Sequence, residues 1–242
     1  MKNFGLIGKN ISYSFSKSYF TNKFENENIE AEYNNFDLEN LKQFRDVIKE
    51  TPNLHGLNVT IPYKQEIISF LDNLAPEAKE IGAVNTIKVD GNKLIGYNTD
   101  YIGFSDSLKP LLKAHHTKAL ILGTGGASKA VAYTLKKLGI EYKFVSRTSG
   151  EGRLSYDDLS EEIIKEYTVI INTTPVGTSP EVDKNPQVPF QYLTEKHLVY
   201  DLIYNPETTQ LMARAKKQGA SVTNGLKMLQ LQAESAWRIW NK

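Results

Sequence analysis

Apolar and polar positions along this chain follow two rhythms. Short apolar-rich runs at residues 3–7, 31–36 and 57–61 read as strands, and helical amphipathic spacing fills the gaps between them. Strand and helix in alternation predict a largely parallel sheet. A hairpin follows, because residues 84–89 and 93–97 are strand-like arms joined at Asp90-Gly91, a pair that tolerates positive φ. Folding the chain back there brings Asn85 close to Tyr97 and Asn98, so Asn85 and Asp100 are expected at one open end.

A helical pattern over 101–112 leads through a polar stretch with two histidines, 113–117, into a second alternating series, and the domain crossover is placed in that helix. The series begins with a strand at 118–122, a glycine turn, a helix to Leu138 closed by Gly139, and a strand at 141–145, which together make a βαβ unit. Further strands at 168–172, 198–203 and 220–223 extend a doubly wound sheet. After Gly225 a last helix carries Leu226, Leu229, Ala233, Ala236, Trp237 and Trp240 on one apolar stripe. The fold class predicted is α/β with two domains, one with a mostly parallel sheet and one Rossmann-like.

Composition narrows the function classes. A formal net charge of +1 with no long basic run gives no footprint for nucleic acid. The absence of cysteine excludes disulfides, thiolate metal sites and a thiol nucleophile, and suits a reducing cytoplasm. Residues 1–8 lack the marks of an export signal, and no apolar run approaches membrane-spanning length, so no membrane partner is expected. His55, His115, His116 and His197 stand without metal-ligand spacing, and no metal is expected; surface or satisfied core histidines fit them better.

The chemistry begins at Gly123-Thr124-Gly125-Gly126-Ala127-Ser128, which follows a strand and opens a helix. Glycines there let the main chain approach a pyrophosphate, and free N–H groups with the helix dipole stabilise its charge. Ser128 stands where a third glycine or alanine is usual, and is small enough for close helix packing. The next strand ends in Ser146-Arg147-Thr148 in place of the acid that binds a ribose hydroxyl, so a 2′-phosphate, and hence NADP, is predicted. Arginine's planar fork suits a phosphate, with hydroxyls beside it, although a solvated turn arginine is the plain alternative. Asn172-Thr173-Thr174-Pro175-Val176-Gly177 lies at the next carboxyl edge and is expected to border the nucleotide, unless it is an ordinary turn.

Further polar clusters fall at strand ends: Ser16-Lys17-Ser18, Asn58-Val59-Thr60-Ile61-Pro62-Tyr63-Lys64, Gly82-Ala83-Val84-Asn85-Thr86 and Asn98-Thr99-Asp100. With the glycine turn, Asp201-Leu202-Ile203-Tyr204-Asn205-Pro206, and the run from Gly225 through Met228 and Gln232 to Ala233, they resemble shikimate dehydrogenases in order and approximate spacing over nearly the whole chain. The resemblance implies NADPH-dependent, reversible reduction of 3-dehydroshikimate to shikimate on the route to chorismate and aromatic amino acids. It implies Ser16 and Ser18 at the substrate carboxylate with Tyr204 approaching that side. Thr60, Lys64, Asn85, Asp100 and Gln232 would surround the ring hydroxyls and ketone. Gly225 and Met228 join the glycine turn, Ser146 to Thr148 and Asn172 to Thr174 as implied cofactor residues. Residues 1–103, completed by 226–242, would form the substrate domain and 104–225 the NADP domain, in a monomer or homodimer, with a hinged cleft between them.

Hydride delivery to a ketone develops negative charge on oxygen, so a cation or proton donor beside it lowers the barrier. Lys64 is the choice, with Asp100 to orient it. In reverse the lysine must be neutral to take the alcohol proton, and a close carboxylate opposes that, so which of the two dominates proton transfer stays open. Each residue has a plainer reading: an exposed lysine, a helix-capping aspartate, N-cap serines, a solvated Gln232. Tyr19 stands where this family commonly has proline and Ser146 where it has asparagine. The stretch after Thr148 is short, which leaves Arg153 poorly placed as a second phosphate ligand. Relaxed quinate or NAD use, a silent NADP-binding regulatory module and a methyltransferase are the rival readings.

Overall fold

A computed structural model describes residues 1–11 and 14–242, which divide into two compact units, Met1–Ile102 with Gln232–Lys242, and Gly103–Leu231. The first unit runs β1 (Lys2–Gly8), α1 (Phe15–Asn26), β2 (Ala31–Asp37), α2 (Phe44–Glu50), β3 (Leu54–Val59), β4 (Asn73–Leu74), α3 (Pro76–Ile81), β5 (Thr86–Asp90), β6 (Lys93–Tyr97) and the start of α4 (Asp100–Leu108). Its sheet has the order β2-β1-β3-β5-β6-β4. β1 pairs in parallel with β2 and β3, and the β5–β6 hairpin joins antiparallel to β3.

The second unit runs β7 (Lys118–Leu122), α5 (Gly126–Lys137), β8 (Glu141–Ser146), β9 (Arg153–Ser155), α6 (Glu161–Glu166), β10 (Val169–Asn172), β11 (Leu198–Asp201), α7 (Gln210–Lys217), β12 (Ser221–Thr223) and the start of α8 (Leu226–Trp240). Its sheet is ordered β12-β11-β10-β7-β8-β9, parallel at each of these pairings, and reverses direction of growth beside β7. That is the order of dinucleotide-binding doubly wound folds. Successive residues feed opposite cores, as a strand's two-residue period dictates. Leu120, Leu122 and Ile170 pack on one face, and Ala119, Ile121, Val169 and Ile171 on the other. Among the described residues no helix is long and apolar enough to cross a membrane.

Several boundaries differ from the sequence expectation for local reasons. The hairpin loop is Gly91-Asn92, since Asp90 still pairs with Lys93 and Gly91 takes the positive φ of 60°. β3 starts earlier and ends before Thr60, whose carbonyl accepts from Tyr63 N–H and closes a turn. β11 stops at Asp201, whose carboxylate accepts from Ile203 N–H. The α4 helix yields to a single 3₁₀ turn at Lys109–Leu111, where Pro110 has no N–H to give. In α8 the buried positions are Met228, Ala233, Ser235, Ala236, Ile239 and Trp240, whereas Leu226 is exposed. Leu226 is the helix's first residue, so its side chain lies beyond the packed stripe. Within the first unit the helix end is pinned by Trp240 Nε1, which donates to Ile87 O at 2.9 Å.

His116 and His197 are core histidines, each with its tautomer set by main-chain partners. His116 Nδ1 accepts from Lys113 N–H at 3.0 Å, so its hydrogen sits on Nε2 and faces Lys196 O at 3.1 Å. Burial lowers its pKa from the ordinary 6.5, opposed by the Lys196 carbonyl and aided by the charges of His115, Lys113 and His197. A depressed folded pKa means that the unfolded chain binds the proton first as pH falls. The stabilisation is full above pH 6.5 and is lost as the pH drops from there towards the folded value. Denaturant titrations should show stability falling more steeply below that pH in the native chain than in His116→Asn, which retains an acceptor for Lys113 N–H. Equal slopes would reject this role.

Candidate functional site

In the first unit, three strand ends deliver polar groups to one place. β3 runs out at Val59, and the turn through Thr60 and Tyr63 is held by Tyr63 Oη donating to Leu38 O at 2.6 Å. The next residue, Lys64, is fixed at its main chain, its carbonyl accepting from Val84 N–H at 2.7 Å. Its Nζ donates to Asp100 Oδ2 at 2.7 Å. Asp100 is 4% exposed, and its other oxygen accepts from Asn85 Nδ2 at 2.8 Å. Asn85 Nδ2 also lies 2.8 Å from Gln232 Oε1 and 3.1 Å from Thr99 Oγ1. The hairpin brings Asn85 and Asp100 to one end, since Asn85 N–H donates to Tyr97 O.

A buried ion pair flanked by amides can hold hydroxyls and carry a proton, and Lys64 retains some exposure, 17% of its side chain. The capping reading of Asp100 is replaced: Asn98 Oδ1 accepts from Tyr101 N–H, while the Asp100 carboxylate is engaged by Lys64 and Asn85. The N-cap of α1 is Ser14, whose hydroxyl accepts from Lys17 N–H; Ser16 is half-buried and Ser18 exposed. Among the described residues the hydrogen bonds of the Lys64 cluster do not reach Ser16, Ser18 or the half-buried Thr60. Tyr204 stands in the second unit, half-buried in the segment after β11.

In that unit the chain leaves β7 at Gly123, which has a φ of 101° and lies where a Cβ would press on Thr173 Oγ1 and Thr174 Cγ2, each at 2.9 Å. Gly125 caps α5 and faces open space, with Thr124 exposed beside it and Gly126 and Ala127 half-buried. Ser128 is buried, and its hydroxyl donates to Gly125 O at 2.7 Å, so its part is to close the turn. At the end of β8 the Ser146 hydroxyl donates to Thr148 O, while Arg147 and Thr148 are exposed. Arg153 returns on β9 opposite Phe144, and its Nε is buried with no hydrogen-bond partner.

The Asn172 side chain is fully buried, donating to Asp201 Oδ1 and accepting from Thr174 N–H and Oγ1. Thr173 Oγ1 donates to Leu122 O. The centre of this loop is thus Asp201, which also accepts from Thr209 Oγ1 at 2.7 Å and Ile203 N–H. Burial pushes its carboxyl up, against the three donors. Met228 packs its side chain into the core with Phe104 and Tyr200. Gly225 donates its N–H to Ile203 O.

A doubly wound parallel sheet with a glycine turn on its first strand, joined to a unit carrying a lysine–carboxylate pair among amides, defines the class of nucleotide-dependent dehydrogenases. A family model described as the shikimate dehydrogenase substrate binding domain matches residues 6–87, and the chain is 40% identical over 98% of its length to a shikimate dehydrogenase (NADP(+)) of Clostridium botulinum, covering 95% of that protein. The chain belongs to the shikimate dehydrogenase family. It is also 37% identical to a shikimate dehydrogenase (NADP(+)) of Caldicellulosiruptor saccharolyticus, covering 99% of this chain and 92% of that one. A crystal structure of the Thermus thermophilus shikimate 5-dehydrogenase in complex with NADP(H) and shikimate superposes with a TM-score of 0.87 at 32% identity, covering 99% of this chain and 93% of the other.

Proposed function

We propose that this chain catalyses the reversible, NADP-linked interconversion of 3-dehydroshikimate and shikimate, a step on the route to chorismate. The observation that carries the reading is the Lys64–Asp100 pair at 2.7 Å, set among Asn85 and Gln232 within the unit that includes the matched substrate-binding segment. The residues present fit the cofactor. Gly125 opens the helix start to a pyrophosphate, and the exposed Arg147 supplies donors for a 2′-phosphate. When bound, the nicotinamide supplies or takes the hydride. Lys64 Nζ gives its proton to the ketone oxygen as charge develops there, and in the reverse direction accepts it. Asp100 holds that ammonium in place, while Asn85 and Gln232 hold ring hydroxyls. Ser16 and Ser18, early in α1, are assigned to the carboxylate. A chain without cysteine has no call for an oxidising compartment, which supports work in the cytoplasm.

The test is NADP reduction by the purified protein with shikimate as sole donor, alongside quinate and NAD. Turnover with shikimate and NADP is expected; cofactor binding without turnover would favour a silent regulatory module. Arg147→Ala should raise the NADP KM by about 10- to 100-fold, as loss of a charge-assisted hydrogen bond implies, and leave the NAD KM unaltered. A parallel rise for both cofactors would remove Arg147 from the 2′-phosphate.

A further inference from the structure

Behind the Lys64 cluster runs a line of buried polar side chains, which at its far end meets the half-buried Ser16 through the Tyr33 hydroxyl. Tyr33 on β2 is 2% exposed, and its ring stacks on Phe20 with centroids 4.8 Å apart. Its hydroxyl donates to Asn58 Oδ1 at 2.8 Å. Asn58, on β3 and 6% exposed, donates through Nδ2 to the main-chain carbonyl of Asn85 and to Thr86 Oγ1, both at 3.2 Å.

The direction of each hydrogen bond in this line is determined. A main-chain carbonyl only accepts, so Asn58 must turn its NH₂ group to Asn85, and its Oδ1 then faces Tyr33, which must donate. Asn58 thereby spends both hydrogens on the Asn85 main chain and the buried Thr86, neither of which a ligand can replace, whereas Asn85 shares its amide with the half-buried Gln232, whose side chain a ring hydroxyl can displace. The orientation of Asn85 is set in the same way. Thr99 N–H donates to its Oδ1 at 2.6 Å, which turns Nδ2 towards Asp100 and Gln232. The Asn85 carbonyl accepts from Asn58 Nδ2 and from Val59 N–H, and the Asn85 N–H donates to Tyr97 O.

We propose that Asn58, backed by Tyr33, is a positioning residue of the substrate site: it fixes the main chain at Asn85 so that the Asn85 amide meets Asp100 and Gln232 where a ring hydroxyl is held. This rests on the reading of the Lys64 cluster as that site. The sequence places Asn58 beside the candidate ligands Thr60 and Lys64, yet its side chain points into the protein and works through Asn85. A group so placed has no hydrogen bond to give the substrate, but an error in its polarity moves one that does.

Asn58→Asp is the decisive variant, because it keeps the shape and replaces the NH₂ by oxygen. As a carboxylate the new side chain sets acceptor against acceptor at the Asn85 carbonyl; once protonated it donates there again. At neutral pH the shikimate kcat/KM should fall about tenfold, the size of one misplaced hydrogen bond, with the NADP KM unchanged. The loss should be relieved as pH is lowered, adding an ionisation that the native pH profile lacks. A variant profile that parallels the native one overturns the proposal whatever its thermal stability. Asn58→Ala serves if Asn58→Asp does not fold: a raised shikimate KM at constant NADP KM supports the role, and an unchanged shikimate KM overturns it. Native protein without shikimate turnover would defeat the functional reading itself, whereas native turnover with unaltered variants defeats only the positioning role.

Discussion

Lys64→Ala is expected to lower kcat for shikimate oxidation by about 10³-fold, within the range that a positioned proton donor contributes, while the dissociation constant for NADP stays within about twofold. The Lys64 ammonium is tied at its main chain to Val84 and at Nζ to Asp100, so it is ordered before any substrate arrives. An ordered donor loses little freedom when charge develops on the ketone oxygen, and that preorganisation is the source of the large effect. Removal of the lysine also leaves Asp100, 4% exposed, with the Asn85 amide and no counter-charge. Unfolding must therefore be followed beside kinetics, and kcat measured well below the transition. Asp100→Asn separates the two partners. If Lys64 transfers the proton, the asparagine variant loses less kcat than Lys64→Ala; if the carboxylate dominates, the order reverses. Normal turnover in a folded Lys64→Ala enzyme would strip that residue of its assignment.

What could be read from the chain beforehand follows from periodicity and turn chemistry. β7 and the arm Lys93–Tyr97 fell where apolar spacing and Asp90-Gly91 put them, because strands buried on both faces and a positive-φ turn leave strong local marks. The meeting of Asn85 with Asp100 also followed, since hairpin register is a local constraint. The direction in which a polar side chain points does not follow. Ser128 in the first turn of α5, and Ser146 and Asn172 at strand ends, occupy positions expected of cofactor ligands, yet each spends its side chain on the protein, on Gly125, Thr148 and Asp201 respectively. A hydroxyl or amide at such a place can turn either way: Ser128 and Ser146 take nearby main-chain carbonyls that a ligand could equally replace, and Asn172 is claimed by Asp201, a partner distant in sequence. For the same reason Asp201 was legible as part of a motif but not as the buried carboxylate that gathers Asn172, Thr209 and Ile203. Asn98 took the cap that Asp100 also suited, because Lys64 competes for the Asp100 carboxylate from far along the chain.

Gly225→Ala should produce the second large effect, and it distinguishes two meanings of that glycine. The family resemblance places Gly225 among cofactor residues, where a missing side chain would let a ligand approach. The backbone gives another reason. A Cβ at this position would lie 2.0 Å from Leu202 O and 2.6 Å from Leu202 C, inside any tolerable contact. Neither obstacle is the tip of a flexible side chain; both are main chain just past the end of β11, and Gly225 N–H is itself bonded to Ile203 O at 3.0 Å. Relief requires the start of α8 to move away from that segment, drawing Met228 out of the core it shares with Phe104 and Tyr200. Overpacking of this kind costs about 3 kcal/mol or more. For a chain of this length that corresponds to a fall in Tm of roughly 6–12 °C, readable by calorimetry on the cofactor-free protein. NADP affinity should fall with it, since the displaced segment borders residues implied in cofactor binding. If instead the variant melts with the native protein and only its NADP KM rises, the glycine serves ligand approach and the steric account is wrong.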